Sequence, residues 1–364
     1  MISHNLKKIL EKIESFFFND SYQAIGIDIG TDSLKIAEIY WRDGRPILRS
    51  TGIIDLPANI IEDGSITDSE TLTELIRQVI NVSGTTAKEV VMAVGGLNIF
   101  LREVMFPLMD ESELREAIKW DMEKYIPFAP DSYFFDFAVI GTARSGLELK
   151  VLLAAAPQEI VNSVTDIVKN VGLQPVAVGA EPLAIIRTLA KAENSLIIDI
   201  GGQATQLIIF QNGSPSITRM IPIGGHHFTG IVMRSLELDY NEAEQLKKYQ
   251  KGLLPQVDSP GEQSDLHLRM DNLVGELTRE IRRTIEYYHT QNKEAVIDKM
   301  YLSGGGAKLD NIIQYIEKYL DRQVIMLDPL AGIDVAPSFD KKYLHDMASQ
   351  LAVAIGLALG GGAI

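Results

Sequence analysis

The 364-residue sequence contains no cysteine. Disulfide bonds and catalysis by a cysteine nucleophile are therefore excluded. Basic residues are also scarce, because 34 Lys and Arg stand against 49 Asp and Glu and give a formal net charge of -15. Since the phosphate backbone of nucleic acids attracts clustered Lys and Arg, this balance argues against a nucleic-acid-binding protein.

Long apolar runs are missing as well. The apolar stretch at 351–364 is shorter than the roughly 20 residues that a membrane-spanning helix needs. Residues 1–20 have helical apolar spacing and no small-residue cleavage site, which predicts an amphipathic helix and not a signal peptide. Docking of this helix on the protein is favoured, and a membrane-surface role remains open. We expect a cytoplasmic protein whose contact with the membrane is indirect.

The composition, with 46% hydrophobic and 23% charged residues, is typical of a globular chain. The length exceeds that of most single domains, so we expect two domains around a shared cleft. An internal repeat supports this division. Ile27–Gly30 and Ile198–Gly201 both read Ile-Asp-Ile-Gly, and the second copy starts 171 residues after the first.

Each copy opens a β-meander of alternating strands. Asp43-Gly44 and Asn212-Gly213 are two-residue signals that predict tight hairpin turns. The alternating segments that surround them predict strands at 34–39, 46–54, 205–210 and 216–221.

The rest of the chain alternates helical and strand patterns, which predicts an α/β fold. Residues 97–171 are interpreted as an inserted α+β module whose helix starts at a capping box of Asp110 and Glu113. The other predicted elements are helices at 69–82, 241–250, 265–291 and 310–320 and strands at 89–94, 133–140, 147–156 and 299–302.

The glycines after the repeated strands predict phosphate binding, because a turn without Cβ atoms lets backbone N–H groups approach a phosphate closely. Asp28 and Asp199 end the two strands and suit a hydrated Mg²⁺. ATP or ADP with Mg²⁺ is the predicted cofactor. The candidate phosphate-binding residues are Gly30, Thr31, Asp32, Ser33, Gly201, Gly202, Gln203 and Ala204.

The sequence does not match two other phosphate-binding motifs. Gly141 and Gly146 have P-loop spacing, but Leu147-Glu148 follows them where a P-loop has Lys and Ser or Thr. A Gly-x-Gly-x-x-Gly fingerprint after a strand is also missing from the sequence, so a dinucleotide-binding fold is unsupported.

Three motifs, spread over nearly the whole chain, resemble those of the actin-like ATPases of the actin/Hsp70 superfamily. They are Asp-x-Gly-Thr at Asp28–Thr31, Asp-x-Gly-Gly at Asp199–Gly202 and Gly-Gly-Gly-Ala at Gly304–Ala307. The resemblance implies a duplicated, ribonuclease H-like α/β fold with two domains around a nucleotide cleft. It further implies adenosine contacts from Gly304, Gly305, Gly306 and Ala307, and ribose and adenine contacts from Glu244 and Lys247.

Two further residues have alternative roles. Glu181 lies where the superfamily begins its first connecting helix, and it is a tentative catalytic residue that would polarise a water. A structural role at the helix start is the alternative. Lys35 either reaches a phosphate or faces solvent from its alternating strand.

The resemblance also implies domain boundaries. They are 1–20 for the N-terminal amphipathic helix, 21–96 for the first actin-like domain, 97–171 for the inserted subdomain, 172–194 for the return to the first domain, 195–235 for the second actin-like domain, 236–298 for its second subdomain, 299–340 for the return to the second domain, and 341–364 for a C-terminal helix packing back on the first domain.

The inserted module sits where FtsA cell-division proteins and PilM pilus-assembly proteins have their extra subdomain. The segment Ala117–Phe128, preceded by Phe106-Pro107, is similar to a hallmark of the PilM family. We expect the chain to end in the second connecting helix and not in the membrane-targeting helix usual in FtsA, which favours PilM.

The resemblance to PilM implies a scaffold of the type IV pilus machine at the cytoplasmic face of the inner membrane. The implied partner is the cytoplasmic N-terminal tail of the inner-membrane protein PilN. Other pilus platform proteins, motor ATPases and self-association are further partners that the resemblance allows.

The departures from the superfamily pattern bear on catalysis. Gln203 stands where many relatives have a third glycine, so we expect slow ATP hydrolysis at most. His226-His227 are interpreted as helix-start residues, because a third ligand at metal spacing is missing. Two alternatives stay open, an FtsA-like filament protein of cell division and a small-molecule kinase of the same superfamily.

Overall fold

A computed structural model describes residues 23–62, 64–143, 146–189, 194–257, 264–293 and 295–360. The helix predicted over 1–20 lies outside these residues. The strands are β1 (Gln23–Ile29), β2 (Ser33–Arg42), β3 (Arg45–Asp55), β4 (Ile61–Glu62), β5 (Ser65–Ile66), β6 (Glu89–Val94), β7 (Phe100–Pro107), β8 (Tyr133–Thr142), β9 (Glu148–Pro157), β10 (Gln174–Ala180), β11 (Ser195–Ile200), β12 (Thr205–Gln211), β13 (Ser214–Ile221), β14 (Lys299–Ser303), β15 (Ile325–Met326) and β16 (Asp334–Val335).

The helices complete the list of regular elements. They are α1 (Ser69–Ser83), α2 (Glu111–Tyr125), α3 (Gln158–Asn170), α4 (Glu181–Arg187), α5 (Gly225–Leu236), α6 (Tyr240–Tyr249), α7 (Asp265–Gln291), α8 (Ile312–Leu320), α9 (Lys341–Met347) and α10 (Ala352–Gly360). None of these described helices has the length and apolar character needed to cross a membrane.

The chain divides into two compact units. The first unit takes the described residues of Met1–Ala190, Pro329–Leu344 and Val353–Ile364, and the second takes those of Lys191–Asp328 and His345–Ala352. The duplicated α/β fold predicted from the repeated hairpins is confirmed, because each unit contains a mixed sheet built around one copy.

The sheet of the first unit has the strand order β10-β6-β1-β2-β3-β16. Strands β1, β2 and β3 form the predicted antiparallel meander, and β6 and β10 add to it in parallel. The turn between β2 and β3 places Asp43 at φ 52° and Gly44 at φ 73°. Positive φ at both central residues is what a tight hairpin of this kind requires, which confirms the predicted turn.

Helices α1 and α3 provide apolar side chains to the core of the first unit, where Ile76 and Val79 meet Val164 and Ile167. The predicted boundaries assign α3 to the inserted module. Its buried face instead belongs to the core formed with β1, β2 and β6. Amphipathic spacing predicts that a helix buries one face, but it does not say which sheet covers that face.

Helix α10 packs directly on β1 in the first unit. A Cβ added to Gly26 would lie 1.9 Å from the carbonyl oxygen of Ala354. A side chain at this position would therefore force the helix off the sheet. The last residues of the predicted 341–364 segment lie outside the described part of the chain.

The inserted module is a sheet of order β7-β9-β8 covered by α2. Asp110 accepts a hydrogen bond from the Glu113 N–H at 2.8 Å, and the Glu113 carboxylate accepts one from the Asp110 N–H at 3.3 Å. The predicted capping box is thus confirmed. Leu114, Ile118 and Met122 lie on the buried face of α2.

The sheet of the second unit has the order β13-β12-β11-β14-β15. Its meander repeats the first, with Asn212 at φ 54° and Gly213 at φ 88° in the turn between β12 and β13. Helices α5, α7 and α8 contribute buried residues to the core of this unit, among them Phe228, Ile281 and Tyr315.

Candidate functional site

The first glycine turn joins β1 to β2 and is held by backbone hydrogen bonds. The Gly30 N–H donates to the Ser33 carbonyl at 3.1 Å, and the Leu56 N–H donates to the Asp32 carbonyl at 2.9 Å. Gly30, Thr31, Asp32 and Ser33 are all partly exposed. The structure thus brings the four predicted residues into one compact turn whose backbone reaches the surface of the first unit.

Lys35 lies over this turn. Its Nζ is 3.0 Å from the Oδ2 of Asp28, and the two side chains are 12% and 7% exposed. The ammonium is also 3.1 Å from the position that a Cβ on Gly30 would occupy. The alternative that Lys35 faces solvent is therefore wrong. The register explains its orientation, because Asp28 and Lys35 are directly opposite each other and so share one face of the sheet.

Glu181 begins α4 at the end of β10, beside the end of β6. A Cβ added to Gly95 would lie 1.7 Å from the Glu181 carboxylate, so this carboxylate occupies the space that Gly95 leaves open. Strands β6 and β10 run in parallel, and their ends at Val94 and Ala180 are paired. The catalytic role of Glu181 stays a prediction.

The second glycine turn joins β11 to β12 and rests on the start of α5. The Gly201 N–H donates to the Ala204 carbonyl at 2.9 Å. The Gly225 N–H donates to the Gly201 carbonyl at 2.9 Å, and the His226 N–H donates to the Gly202 carbonyl at 2.8 Å. These bonds direct the carbonyls of the turn toward α5, and Gln203 is exposed.

Gly224 allows this close contact. A Cβ at Gly224 would lie 2.5 Å from the Gly202 carbonyl oxygen and 2.6 Å from the Ala204 nitrogen. Helix α5 starts at Gly225, so His226 and His227 are helix-start residues, as predicted. The described residues contain no group of three or more His, Cys, Asp or Glu placed to hold a metal ion.

The third glycine turn, Gly304–Ala307, follows β14 and contacts the end of β11. Gly304 has a φ of 88°, and a Cβ there would lie 2.4 Å from the Ile200 carbonyl and 2.9 Å from the Asp199 Oδ1. Its N–H donates to the Ser349 carbonyl at 3.0 Å. The second and third predicted motifs therefore meet within one unit.

Glu244 and Lys247 lie on α6 and form an ion pair of 2.7 Å between Oε2 and Nζ. Lys247 also donates to the Gly225 carbonyl at 3.1 Å and to the Thr229 hydroxyl at 2.8 Å. This part of α6 is thus connected to the second glycine turn through the start of α5.

The structure places three further residues beside these motifs. Thr229 contacts Lys247, and the Gln350 amide nitrogen would lie 3.4 Å from a Cβ at Gly305. Desolvation lowers the pKa of the Lys308 ammonium next to the third turn; Lys248 lowers it further, and Asp346 opposes the shift. Sequence reasoning missed Thr229 and Gln350. A threonine within the first turns of a helix is only a weak signal of a binding site, and Gln350 lies in none of the motifs identified in the sequence.

The duplicated meanders with glycine turns, together with a mixed sheet in each unit, define an actin-like ATPase fold. Solved structures agree. The chain matches a PilM-PilN type IV pilus biogenesis complex with a TM-score of 0.81 and 29% identity over 93% of this chain and 98% of that one. The ethanolamine utilization protein EutJ from Carboxydothermus hydrogenoformans matches with a TM-score of 0.58 and 15% identity over 99% of both chains, which shows the fold alone.

The family follows from the sequence match. The model of the family described as type IV pilus assembly protein PilM matches residues 26–361. The chain therefore belongs to the PilM family of type IV pilus assembly proteins.

Curated relatives include the cell division protein FtsA. The protein from Bacillus subtilis is 24% identical over 63% of this chain, and the match spans 58% of that relative's length. FtsA from Streptococcus pneumoniae is 23% identical over 92% of this chain and 82% of its own length. These matches confirm the predicted relation of this chain to the FtsA proteins.

Proposed function

We propose that this chain is a scaffold of type IV pilus assembly that binds ATP or ADP with Mg²⁺ through its glycine turns. The observation that carries the proposal is the repeated turn. In both units an acidic residue, Asp28 or Asp199, ends a buried strand next to a hydrogen-bonded glycine turn. A solved relative in the fold class, MreB5 of Spiroplasma citri, is bound to ADP, which supports a nucleotide as the ligand.

The residues present fit a magnesium nucleotide. A Cβ at Gly201 would lie 3.1 Å from the Ala204 carbonyl, so glycine keeps that turn compact enough for backbone N–H groups to approach a phosphate. Each turn adds one carboxylate, which suits an ion that keeps several waters. Lys35 would balance phosphate charge from the first turn, and Gly304–Ala307 would hold the adenosine. Bound Mg²⁺ supplies further positive charge against the phosphates.

Isothermal titration with Mg-ATP and Mg-ADP tests the cofactor. We expect Asp28→Ala and Asp199→Ala to weaken binding at least about tenfold, since each removes a carboxylate beside a phosphate turn. Asp166→Ala is the matched control, because that carboxylate is 69% exposed on α3. Unchanged affinity in both turn variants would refute the assigned roles.

The proposed partner is the cytoplasmic N-terminal tail of PilN, and the protein would lie at the cytoplasmic face of the inner membrane. The PilM-PilN complex supports this choice. Trp120 on α2 is 83% exposed within the Ala117–Phe128 segment, and such an exposed aromatic on the inserted module is a candidate contact for a peptide.

Capture by an immobilised PilN tail peptide, in ATP and in ADP, tests the partner. We expect Trp120→Ala to reduce capture, whereas Tyr343→Ala, which removes an aromatic that is 61% exposed outside the module, leaves it unchanged. No capture in either nucleotide would favour the second candidate, an FtsA-like cell-division protein, which the matches to FtsA support.

The steady-state rate of ATP hydrolysis distinguishes a scaffold from an ATP-consuming enzyme. We propose at most slow hydrolysis, with Gln203 in the second turn and Glu181 as the tentative water-polarising residue. A vigorous steady-state ATPase rate from the purified protein alone would contradict the scaffold function.

A further inference from the structure

A cavity opens at the start of β14 in the second unit. It has a volume of about 180 Å³ and is lined by Ile297, Asp298, Lys299, Met300, Arg322 and Gln323. One wall is the segment that enters β14, and the other is the loop between α8 and β15. A single water needs only about 15 Å³ of such space, so the cavity admits a larger guest.

The cavity lies at the opposite end of β14 from the third glycine turn. That turn follows Ser303, the last residue of the strand, whereas Lys299 is its first residue. A strand rises about 3.3 Å per residue, so Lys299 and Ser303 are roughly 13 Å apart. A ligand in the cavity would therefore occupy a site of its own, separate from the proposed nucleotide site.

Hydrogen bonds to a neighbouring backbone group hold the first wall in place. The Asn194 carbonyl accepts from the Asp298 N–H at 2.8 Å and from the Lys299 N–H at 3.4 Å. Asn194 directly precedes β11, the strand that pairs in parallel with β14. The backbone of the two charged residues is thus fixed to the sheet.

The second wall is fastened at both ends. The Asp321 N–H donates to the Glu317 carbonyl at 2.8 Å, and the Glu317 carboxylate accepts from the Val324 N–H at 2.9 Å. Arg322 and Gln323 lie between these two anchored positions. A site whose backbone is already ordered loses less entropy when a ligand binds.

The charged side chains that line the cavity are two cations, Lys299 and Arg322, and one anion, Asp298. This excess of positive charge occurs in a chain whose formal net charge is -15. Ile297 and Met300 are buried and add an apolar part to the lining, next to which charges attract each other more strongly than in bulk water. The cavity therefore favours an anionic guest.

We propose that this cavity binds a compact oxyanion, the carboxylate or phosphoryl group of a small metabolite. The guanidinium of Arg322 would donate to two oxygens of the group, because its planar fork matches both carboxylate and phosphate. Lys299 would add a second positive charge, and Asp298 would oppose binding. The inference is independent of nucleotide binding.

Amide NMR shifts of the ligand-free full chain, titrated with inorganic phosphate and separately with succinate, test the site. We expect saturable shifts at the Lys299 and Arg322 amides. Saturation by phosphate alone would assign a phosphoryl ligand, and saturation by succinate alone would assign a carboxylate. No saturable shift at these amides with either anion overturns the inference, as do shifts confined to Gly201 and Gly304, which would place the anion at the glycine turns.

Charge variants with opposite expected effects sharpen the test. Arg322→Met should raise the Kd of the bound anion at least about tenfold, as loss of a bidentate charged hydrogen bond would. Asp298→Asn should lower the Kd, because it removes the opposing charge. Both residues are exposed, so the variants keep the fold. Arg269→Met is the matched control, since that side chain is 52% exposed on α7. An unchanged Kd in Arg322→Met, or weaker binding in Asp298→Asn, would contradict the proposed site.

Discussion

The two β-meanders have the same strand topology but carry different side chains at corresponding positions. Asp28 faces Lys35 across β1 and β2, whereas Asp199 faces Gln206 at the corresponding register of β11 and β12. Three residues further along the second strand, a second difference follows. Glu38 is completely buried in the first unit, and the corresponding position in the second unit is Ile209.

Hydrogen-bond donors from one loop and from two neighbouring strands explain why the first unit tolerates a buried carboxylate. The Glu38 carboxylate accepts hydrogen bonds from the Ser50 hydroxyl at 2.9 Å, the Ala87 N–H at 2.9 Å and the Thr86 N–H at 3.2 Å, and also from the Gln23 amide. Ile209 is instead part of the apolar core of the second unit. A duplicated backbone therefore accepts a carboxylate where neighbouring strands and a loop provide donors, and an apolar residue where helices cover the strand.

The largest loss of stability is expected when Ile209 of the second unit is replaced by glutamate, the residue at the corresponding position of the first unit. Ile209→Glu would place a carboxylate among apolar side chains, which should destabilise the second unit by more than about 4 kcal/mol. Hydrogen exchange should show protection lost in β11, β12 and β13 and retained in β1, β2 and β3. Ile209→Val is the control, and normal protection in the Glu variant would contradict the difference between the units.

Removal of the buried Glu38 carboxylate should cause a smaller loss of stability. Glu38→Ala leaves the Thr86 and Ala87 N–H groups without their acceptor, which should cost about 3 kcal/mol. Urea denaturation of the full chain measures this loss. Glu38→Gln keeps an acceptor oxygen and should lose less. Equal losses in the two variants would argue that packing, and not hydrogen bonding, is the main contribution of Glu38.

The smallest changes in stability are expected from substitutions of Lys35 and Gln206, the residues that face Asp28 and Asp199. Lys35→Met leaves the nearly buried Asp28 without its cation and should cost about 1–2 kcal/mol. Within the described part of the chain, the buried Oε1 of Gln206 has no hydrogen-bond partner. Gln206→Met should therefore change stability by less than about 0.5 kcal/mol. Thermal unfolding compares the two, and a larger loss in the Gln206 variant would reverse the comparison.

Local signals in the sequence predicted much of the fold. Asp43-Gly44 and Asn212-Gly213 produced the expected hairpin turns, and the helix predicted over 265–291 has those bounds in the structure. Strands β15 and β16, each of two residues, went unpredicted because so short a segment carries no periodicity. Such strands form where a sheet edge offers backbone partners, which is a property of the tertiary fold.

The candidate site was predicted in part. The glycine turns were found because a tight turn restricts the residue type at each position. The Asp28–Lys35 pair was left open, since alternation along a strand fixes which residues share a face but not which face is covered. The contact between Thr229 and Lys247 was missed because α5 and α6 each follow ordinary helical patterns, and the contact between the two helices is a tertiary one.

The sequence by itself determined the duplicated hairpins, the glycine positions and the PilM resemblance, because turn geometry and motif spacing act over a few neighbouring residues. Tertiary structure alone decided that Lys35 pairs with Asp28, that Glu38 accepts a hydrogen bond from the Ala87 N–H, and that Lys247 reaches Gly225. These contacts join side chains whose meeting depends on how whole elements pack, and neither periodicity nor a motif encodes that packing.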